Sequence, residues 1–333
     1  MIFIVGNSRS GTTMLGRIFG LNSHVHTFDE LHFFEQQISA EDLDQNPLWP
    51  VDKLLRLGER LITSSRKGLF APLEPGQYRA EAQLIVDGLA EPRPVDLYYA
   101  ILQAHAEEWG KSIPLEQTPR YLFLAGEILQ RFPGSHMINI VRDPRDVLLS
   151  QKNRWRVRSL ADKNVPFIWT VRSWSNYHPF VTSKLWNSSV RKAAEMAKHP
   201  RFHSISYEEL LRDPDKVLKQ LCEDIGLQFE ASMLQISQIG SSTGNDRPER
   251  LGFDKSRIGA WKMGGLSQAE LKICEQVTGL QMIAHGYSLA DEPANPLGVS
   301  LLKASFPFKL VIAGLVNLNR VSNLRQVIAR RLA

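Results

Sequence analysis

Residues 2–15, IFIVGNSRSGTTML, decide the fold. Four apolar residues, three of them β-branched, end at Gly6 and run into a glycine-punctuated turn; an amphipathic helical pattern follows over residues 12–21. A strand-to-helix turn of this kind points successive backbone N–H groups inward and sits at the positive end of a helix dipole. Both features favour a phosphate. The nucleotide-kinase loop G-x-x-x-x-G-K-[ST] needs a lysine directly after its second glycine. Here Thr12 takes that place, and the cation is Arg9, two residues before Gly11. The loop can hold a phosphate without the usual hardware for a nucleoside triphosphate, which counts against a kinase-type phosphotransferase.

Outward from this loop the chain alternates short apolar runs with helical patterns. Strands are expected at Ile2–Gly6, Val25–Phe28, Ile113–Gln117 and residues 137–142 and 203–207, the third weakened by Pro114. Helices are expected over 12–21, 52–65, 95–110, 121–132, 145–154, 167–198, 215–225 and 267–278, with Asp213-Pro214 capping the seventh. The alternation predicts an α/β fold: a P-loop-like central parallel sheet with helices on both faces. Residues 291–298 read as a linker, dividing a body (1–298) from a basic amphipathic C-terminal tail (299–333).

At 333 residues, 43% hydrophobic and 23% charged, the chain is not collagenous, low-complexity or largely disordered. Its formal charge of +5 is concentrated: residues 299–333 hold six Lys and Arg and no acid, leaving the body close to neutral. No nucleic-acid partner is expected from that balance. Residues 152–192 combine nine Lys and Arg with Trp155, Trp169, Trp174, Trp186 and Tyr177, which read as part core and part wall of an acceptor cleft. Cys222 and Cys274 sit in apolar helical patterns as buried free thiols, so a reducing, cytoplasmic setting is expected. No secretory leader is expected at Met1, and no apolar run approaches the ~20 residues of a bilayer span. In the tail, Val311, Leu315, Leu318, Val321, Leu324 and Ile328 form a helical stripe. It suits either peripheral contact with an anionic membrane or packing on the body or on a second copy. His24 and His26 lack a third ligand, and no metal is expected.

A second anion-binding segment is IVRDPRDVLLSQKNR, residues 140–154. Arg142 stands at a strand end, and Ser150 and Arg154 lie four apart on the following helix, so the three are expected to converge. Taken together, FIVGNSRSGTTML and VRDPRDVLLSQ resemble the 5′-phosphosulfate loop and 3′-phosphate motif of the PAPS-dependent sulfotransferases. The Arg142-to-Ser150 spacing is that family's. SYEELLRDPDKVLKQLCEDIGLQF and SRIGAWKMGGLSQAEL extend the resemblance to about residue 290. An arginine in the loop resembles the branch of tyrosylprotein sulfotransferases and many bacterial enzymes.

The resemblance implies transfer of a sulfuryl group from PAPS (3′-phosphoadenosine 5′-phosphosulfate) to a hydroxyl of a small molecule, glycan or lipid, without a metal. Arg9, Ser10, Gly11, Thr12 and Thr13 would hold the 5′ end; Arg142, Ser150, Arg154 and Tyr207 the 3′-phosphate; Ser256, Arg257 and Lys262 would close over it. Asp29, Glu30 and His32 all follow the second strand towards the ligand crevice. The resemblance points to Glu30 as the base, 21 residues after the loop arginine, with His32 as the alternative. The family often has a lysine where this chain has Gln117. Losing that charge costs about 1–3 kcal/mol of transition-state stabilisation unless Lys111 or Arg120 substitutes. A kinase-type enzyme and a non-catalytic nucleotide-binding or membrane-tethered protein are the competing readings. Arg9→Ala is expected to damage turnover more than donor binding and Arg142→Ala chiefly to weaken donor affinity; calorimetry beside steady-state rates checks the contrast.

Overall fold

A computed structural model describes residues 1–69, 71–161, 171, 174–239, 247–290, 293 and 295–317. β1 (Ile2–Gly6), β2 (Val25–Phe28), β3 (Ile113–Gln117), β4 (His136–Val141) and β5 (Phe202–Ser206) form one sheet in the order β2-β3-β1-β4-β5. Every pairing is parallel. β1 lies at the centre, and its side chains alternate between two cores. Phe3 and Val5 enter one; Ile2 and Ile4 enter the other. The α/β expectation, with helices on both faces, is what the chain builds.

In chain order the helices are α1 (Thr12–Gly20), α2 (Ala40–Gln45), α3 (Val51–Lys67), α4 (Arg79–Asp87), α5 (Pro94–Glu108) and α6 (Ala125–Arg131). There follow α7 (Pro144–Ala161), α8 (Pro179–Met196), α9 (Tyr207–Arg212), α10 (Pro214–Asp224), α11 (Gln268–Ala284) and α12 (Pro296–Asn317). α1 and α10 cover one face of the sheet through Leu15, Ile18, Phe19, Leu218 and Leu221. α3, α5 and α6 cover the other through Leu54, Leu61, Tyr98, Ile101 and Ile128. α11 packs on α7, α8 and α12. Its start is fixed by a capping box in which Ser267 and Glu270 satisfy each other's backbone N–H groups. A small antiparallel pair, β6 (Ser237–Gln238) and β7 (Arg247–Leu251), lies outside the main sheet.

The first three strands have the bounds the sequence predicts. β5 ends at Ser206, so Tyr207 opens a helix capped by the Ser206 side chain instead of closing a strand. The pattern over 121–132 divides into a 3-10 turn at Pro119–Leu124 and α6. The helix expected over 167–198 is seen as α8, which starts at Pro179 behind the cap of His178; residues 162–170, 172 and 173 lie outside the described residues. α2 and α4 have no counterpart in the reading. Both cysteines are buried and free.

The tail differs most. α12 begins at Pro296, within the expected linker, and Leu318, Val321, Leu324 and Ile328 lie outside the described residues. Pro296–Val316 is 21 residues with mean hydropathy 1.7, long and apolar enough to cross a membrane by length and composition. The sequence reading missed it by counting uninterrupted apolar runs, whereas a helix dilutes Ser, Gly, Pro and two lysines into an apolar average.

The turn after β1 depends on Gly11, whose φ of 103° lies in the left-handed region. A Cβ there would stand 2.6 Å from Cδ2 of the buried Tyr207 ring. Gly11→Ala should therefore cost on the order of 1–3 kcal/mol, read as a lowered urea midpoint at unchanged slope.

Candidate functional site

The carboxyl ends of the central strands open into one cavity of about 1030 Å³. Arg9, Gly11, Thr12, Thr13, Glu30, Arg142, Ser150, Tyr207, Ser256 and Arg257 line it. Most of the predicted site is thereby assembled from five separate stretches of chain. Ser10, His32, Arg154 and Lys262 do not line it.

β1 and β4 are hydrogen-bonded neighbours, so their following loops abut. The two expected anion sites are consequently one continuous space. Arg9 Nε donates to Ser150 Oγ at 3.0 Å, and Arg142 donates to the Arg9 carbonyl at 3.4 Å. Arg9 has φ 75°, a left-handed conformation that a non-glycine residue holds only under constraint. Ser10 spends its backbone N–H on the Asn7 carbonyl at 3.1 Å. The expected cradle of amides from Ser10 to Thr13 therefore reduces to Gly11, Thr12 and Thr13 at the start of α1. The buried Ser10 hydroxyl has no hydrogen-bond partner.

Arg142 is the hub of the second segment. Its guanidinium lies 4.3 Å from the Tyr207 ring centroid, donates to the Arg257 carbonyl at 3.1 Å and stands 3.8 Å from Asp146. Tyr207 is thus a platform under Arg142 as well as a stop against Gly11. Asp146 accepts from the backbone N–H groups of Gly259 and Trp261, both at 2.9 Å, which holds the late loop against α7. Burial pushes its carboxyl up to about 6, against the pull of Arg142 and these two amides. Among the described residues, Nε of Arg142 and one Nη of Arg257 are buried without a hydrogen-bond partner. Two unsatisfied guanidinium donors in residues lining one cavity suit an anion such as a nucleotide phosphate.

Arg154 falls elsewhere than the helical spacing predicts. Asn153 joins Ser150 on the cavity wall, while Arg154 acts on the Glu30 carboxylate. Lys262 is exposed, its ammonium 5.6 Å from the Trp261 ring centroid.

Glu30 projects from the loop after β2, which a buried carboxylate holds in place. Glu116 accepts from Leu31 N at 3.0 Å, from Thr118 Oγ1 at 2.5 Å and from the Tyr98 hydroxyl. His32 bridges two carboxylates, with Nε2 3.0 Å from Glu30 and Nδ1 2.8 Å from Glu35. Burial alone lowers the imidazole, but the bonds and charges of Glu30 and Glu35 outweigh it and raise His32 to about 9. At neutral pH it is a cation and cannot accept a proton, so it orients Glu30 rather than replacing it. Burial raises Glu30, yet His32, Arg120 and Arg154 together hold it below the usual carboxylate range. It stands ionised in the cavity wall.

Gln117 is buried beside Asp29, its amide nitrogen 3.5 Å from that carboxylate and its carbonyl oxygen unpartnered. Lys111 cannot stand in for the missing lysine, because its ammonium is committed to the carbonyls of Gly20, Asn22 and Val25 at 2.8–2.9 Å. The sequence reading missed Lys152, Asn153, Glu270, Leu302 and Lys309, all of which line the cavity. Trp174 and Tyr177 line it too, whereas Trp186 is core, as the mixed reading of that segment expects. Glu81, His105 and Glu108 stand close enough for a metal, but two of these carboxylates grip the Arg66 guanidinium at 2.8 Å, which already supplies the positive charge.

A five-stranded parallel sheet with a glycine-bearing strand-to-helix turn at the carboxyl edge of its central strand defines a P-loop-like α/β fold. A model of the sulfotransferase family matches residues 2–231, and the chain belongs to that family. Human sulfotransferase 2A1 is 29% identical over 137 residues, which is 38% of this chain and 45% of that protein. The chain thus spans about half the length of the curated relatives it matches. Among solved structures, the sulfotransferase domain of the Synechococcus PCC 7002 olefin synthase is similar at TM-score 0.50 and 20% identity, over 87% of this chain and 95% of that one. The sulfotransferase domain of the curacin biosynthetic pathway gives TM-score 0.49 and 22% identity, over 87% and 98%.

His32 has a raised folded-state pKa, so the stability it contributes is complete below its ordinary 6.5 and is lost as pH rises through about 9. The urea midpoint should fall across that window, and His32→Gln should flatten the fall.

Proposed function

We propose that this chain transfers a sulfuryl group from PAPS to a hydroxyl of a small molecule, glycan or lipid. The observation that carries the reading is the pairing of Arg9 and Arg142 in one cavity with Glu30 on its wall. The donor supplies an activated sulfuryl group whose departure leaves negative charge on a 5′-phosphate. Arg9 and the first amides of α1 stabilise that charge: the guanidinium is planar, bidentate and permanently protonated. Arg142 and Arg257, each with an unsatisfied buried donor, hold the nucleoside end with Ser150. Ser256 lines the same end through the turn capped by Asp254.

Glu30 takes the proton from the acceptor hydroxyl. Its assignment rests on the tyrosylprotein-like spacing and on its exposure to the cavity, while His32 keeps it ionised and oriented. A low carboxylate pKa makes a weaker base, so the proton moves late, as the acceptor oxygen bonds to sulfur. Arg120 and Arg154 place positive charge near Glu30 and offset in part the neutral Gln117.

Calorimetry with 3′,5′-bisphosphoadenosine against ATP tests the donor, followed by transfer from PAPS to a panel of alcohols. Binding of the bisphosphate and not of ATP is expected. Magnesium-dependent ATP turnover with no affinity for the bisphosphate would establish the kinase alternative; bisphosphate binding without transfer to any acceptor would make this a non-catalytic binder. Glu30→Gln is expected to lower turnover about 100- to 10,000-fold with bisphosphate affinity unchanged. Full activity in that variant removes the base.

A further inference from the structure

α12 is committed to the fold along one side only. His178 Nε2 lies 3.1 Å from the Leu302 carbonyl, and the Phe306 ring packs against His178 and Phe180 at 5.2 and 5.7 Å between centroids. Lys309 donates to the Tyr177 carbonyl at 3.0 Å and sits 4.7 Å from the Trp174 ring centroid. Leu302 and Lys309 thereby become part of the cavity wall. Among the described residues, the opposite side of the helix is open. Leu297, Leu301, Phe308, Val311 and Leu315 are 66, 64, 66, 60 and 64% exposed. At 100° per residue these five positions fall within about 40° of one line, an unbroken apolar stripe roughly 27 Å long. Single exposed apolar residues are ordinary on a protein surface; an aligned run of five large ones is not.

Charge identifies what covers it. Residues 299–333 hold six Lys and Arg and no acidic residue. A second copy docking on this stripe would bring two such segments together, like charge against like. Lys303 and Lys309 bond to the body through Gln276 and the Tyr177 carbonyl, and the other four cations follow in residues 318–333, outside the described residues; an anionic lipid surface suits an apolar stripe continued by so basic a sequence. Because the inner side of α12 is bonded to α8 and to the segment before it, the helix suits lying in the interface better than crossing it.

We infer that α12 lays the protein on an anionic lipid surface and holds the Leu302–Lys309 wall of the cavity at that surface. Resting on the sulfotransferase reading, this makes the acceptor a hydroxylated amphiphile that enters from the membrane past Trp174 and Tyr177.

The full chain should float with vesicles of phosphatidylcholine plus phosphatidylglycerol, in a salt-sensitive manner, and only weakly with phosphatidylcholine alone. Leu301→Glu with Leu315→Glu should weaken that binding by about 100-fold, while calorimetric affinity for 3′,5′-bisphosphoadenosine stays unchanged and shows the fold intact. Three results would overturn the inference: no vesicle binding by the wild type, equal binding to both compositions, or a doubly substituted chain that binds as well as wild type. A concentration-dependent dimer dissolved by the same substitutions would assign the stripe to a second copy instead. For the acceptor, a long-chain alcohol embedded in the mixed vesicles should turn over faster than a short soluble one; equal rates refute the membrane route. Transfer to neither, with the bisphosphate bound, refutes the enzymatic reading while vesicle flotation still decides the docking.

Discussion

Gly6 and Ile140 touch. The register of β1 on β4 sets them side by side, and a Cβ on Gly6 would stand 2.6 Å from the Ile140 carbonyl oxygen. That approach brings the two central strands to their ends at the same height and sends both following loops into one space. Arg9 can then reach Ser150, and Arg142 can reach the Arg9 carbonyl. On the other flank of β1, β3 brings Glu116 under the loop after β2, and the backbone of Leu31 is tied there. Strand order therefore brings Arg9, Glu30 and Arg142 to one edge of the sheet.

Within that frame the charges are unevenly satisfied. Arg145 is fully engaged by Asp143, Glu275 and the Ser288 carbonyl, and it serves structure. Arg142 and Arg257 each keep a buried donor without a partner, at about 1–3 kcal/mol apiece. Asp146 bears part of the same burden, with burial holding its carboxyl up near 6 beside Arg142. Unsatisfied guanidinium donors and a raised carboxyl so close together leave this part of the fold under electrostatic strain that charge pairing elsewhere does not relieve.

What the sequence discloses follows from range. The β1 turn and the start of α1 are set by neighbours in the chain, so IFIVGNSRSGTT shows strand, turn and helix start together. Arg142 and Ser150 are legible for the same reason. Arg154 is not, because i and i+4 spacing gives a helix face but not which side of that face meets Glu30. The clamp of Glu116 on Leu31 spans 85 residues, and the grip of Asp146 on Gly259 spans 113; no local pattern announces either. Tyr207 reads as a strand end because it follows the alternating stretch HSIS, but the Ser206 side chain accepts from Glu209 N and starts a helix there. Lys309 reaches the cavity only through the packing of α12, far along the chain from every motif.

The family model matches residues 2–231, yet Leu302 and Lys309, well beyond that stretch, help shape the cavity. The two ends of the cavity are consequently held by different lengths of polypeptide. Substitutions along α12 can remould which molecule fits without disturbing the contact between Gly6 and Ile140. Such a cavity has two parts: a rim set by the central strands and a far wall set by a helix near the other end of the chain.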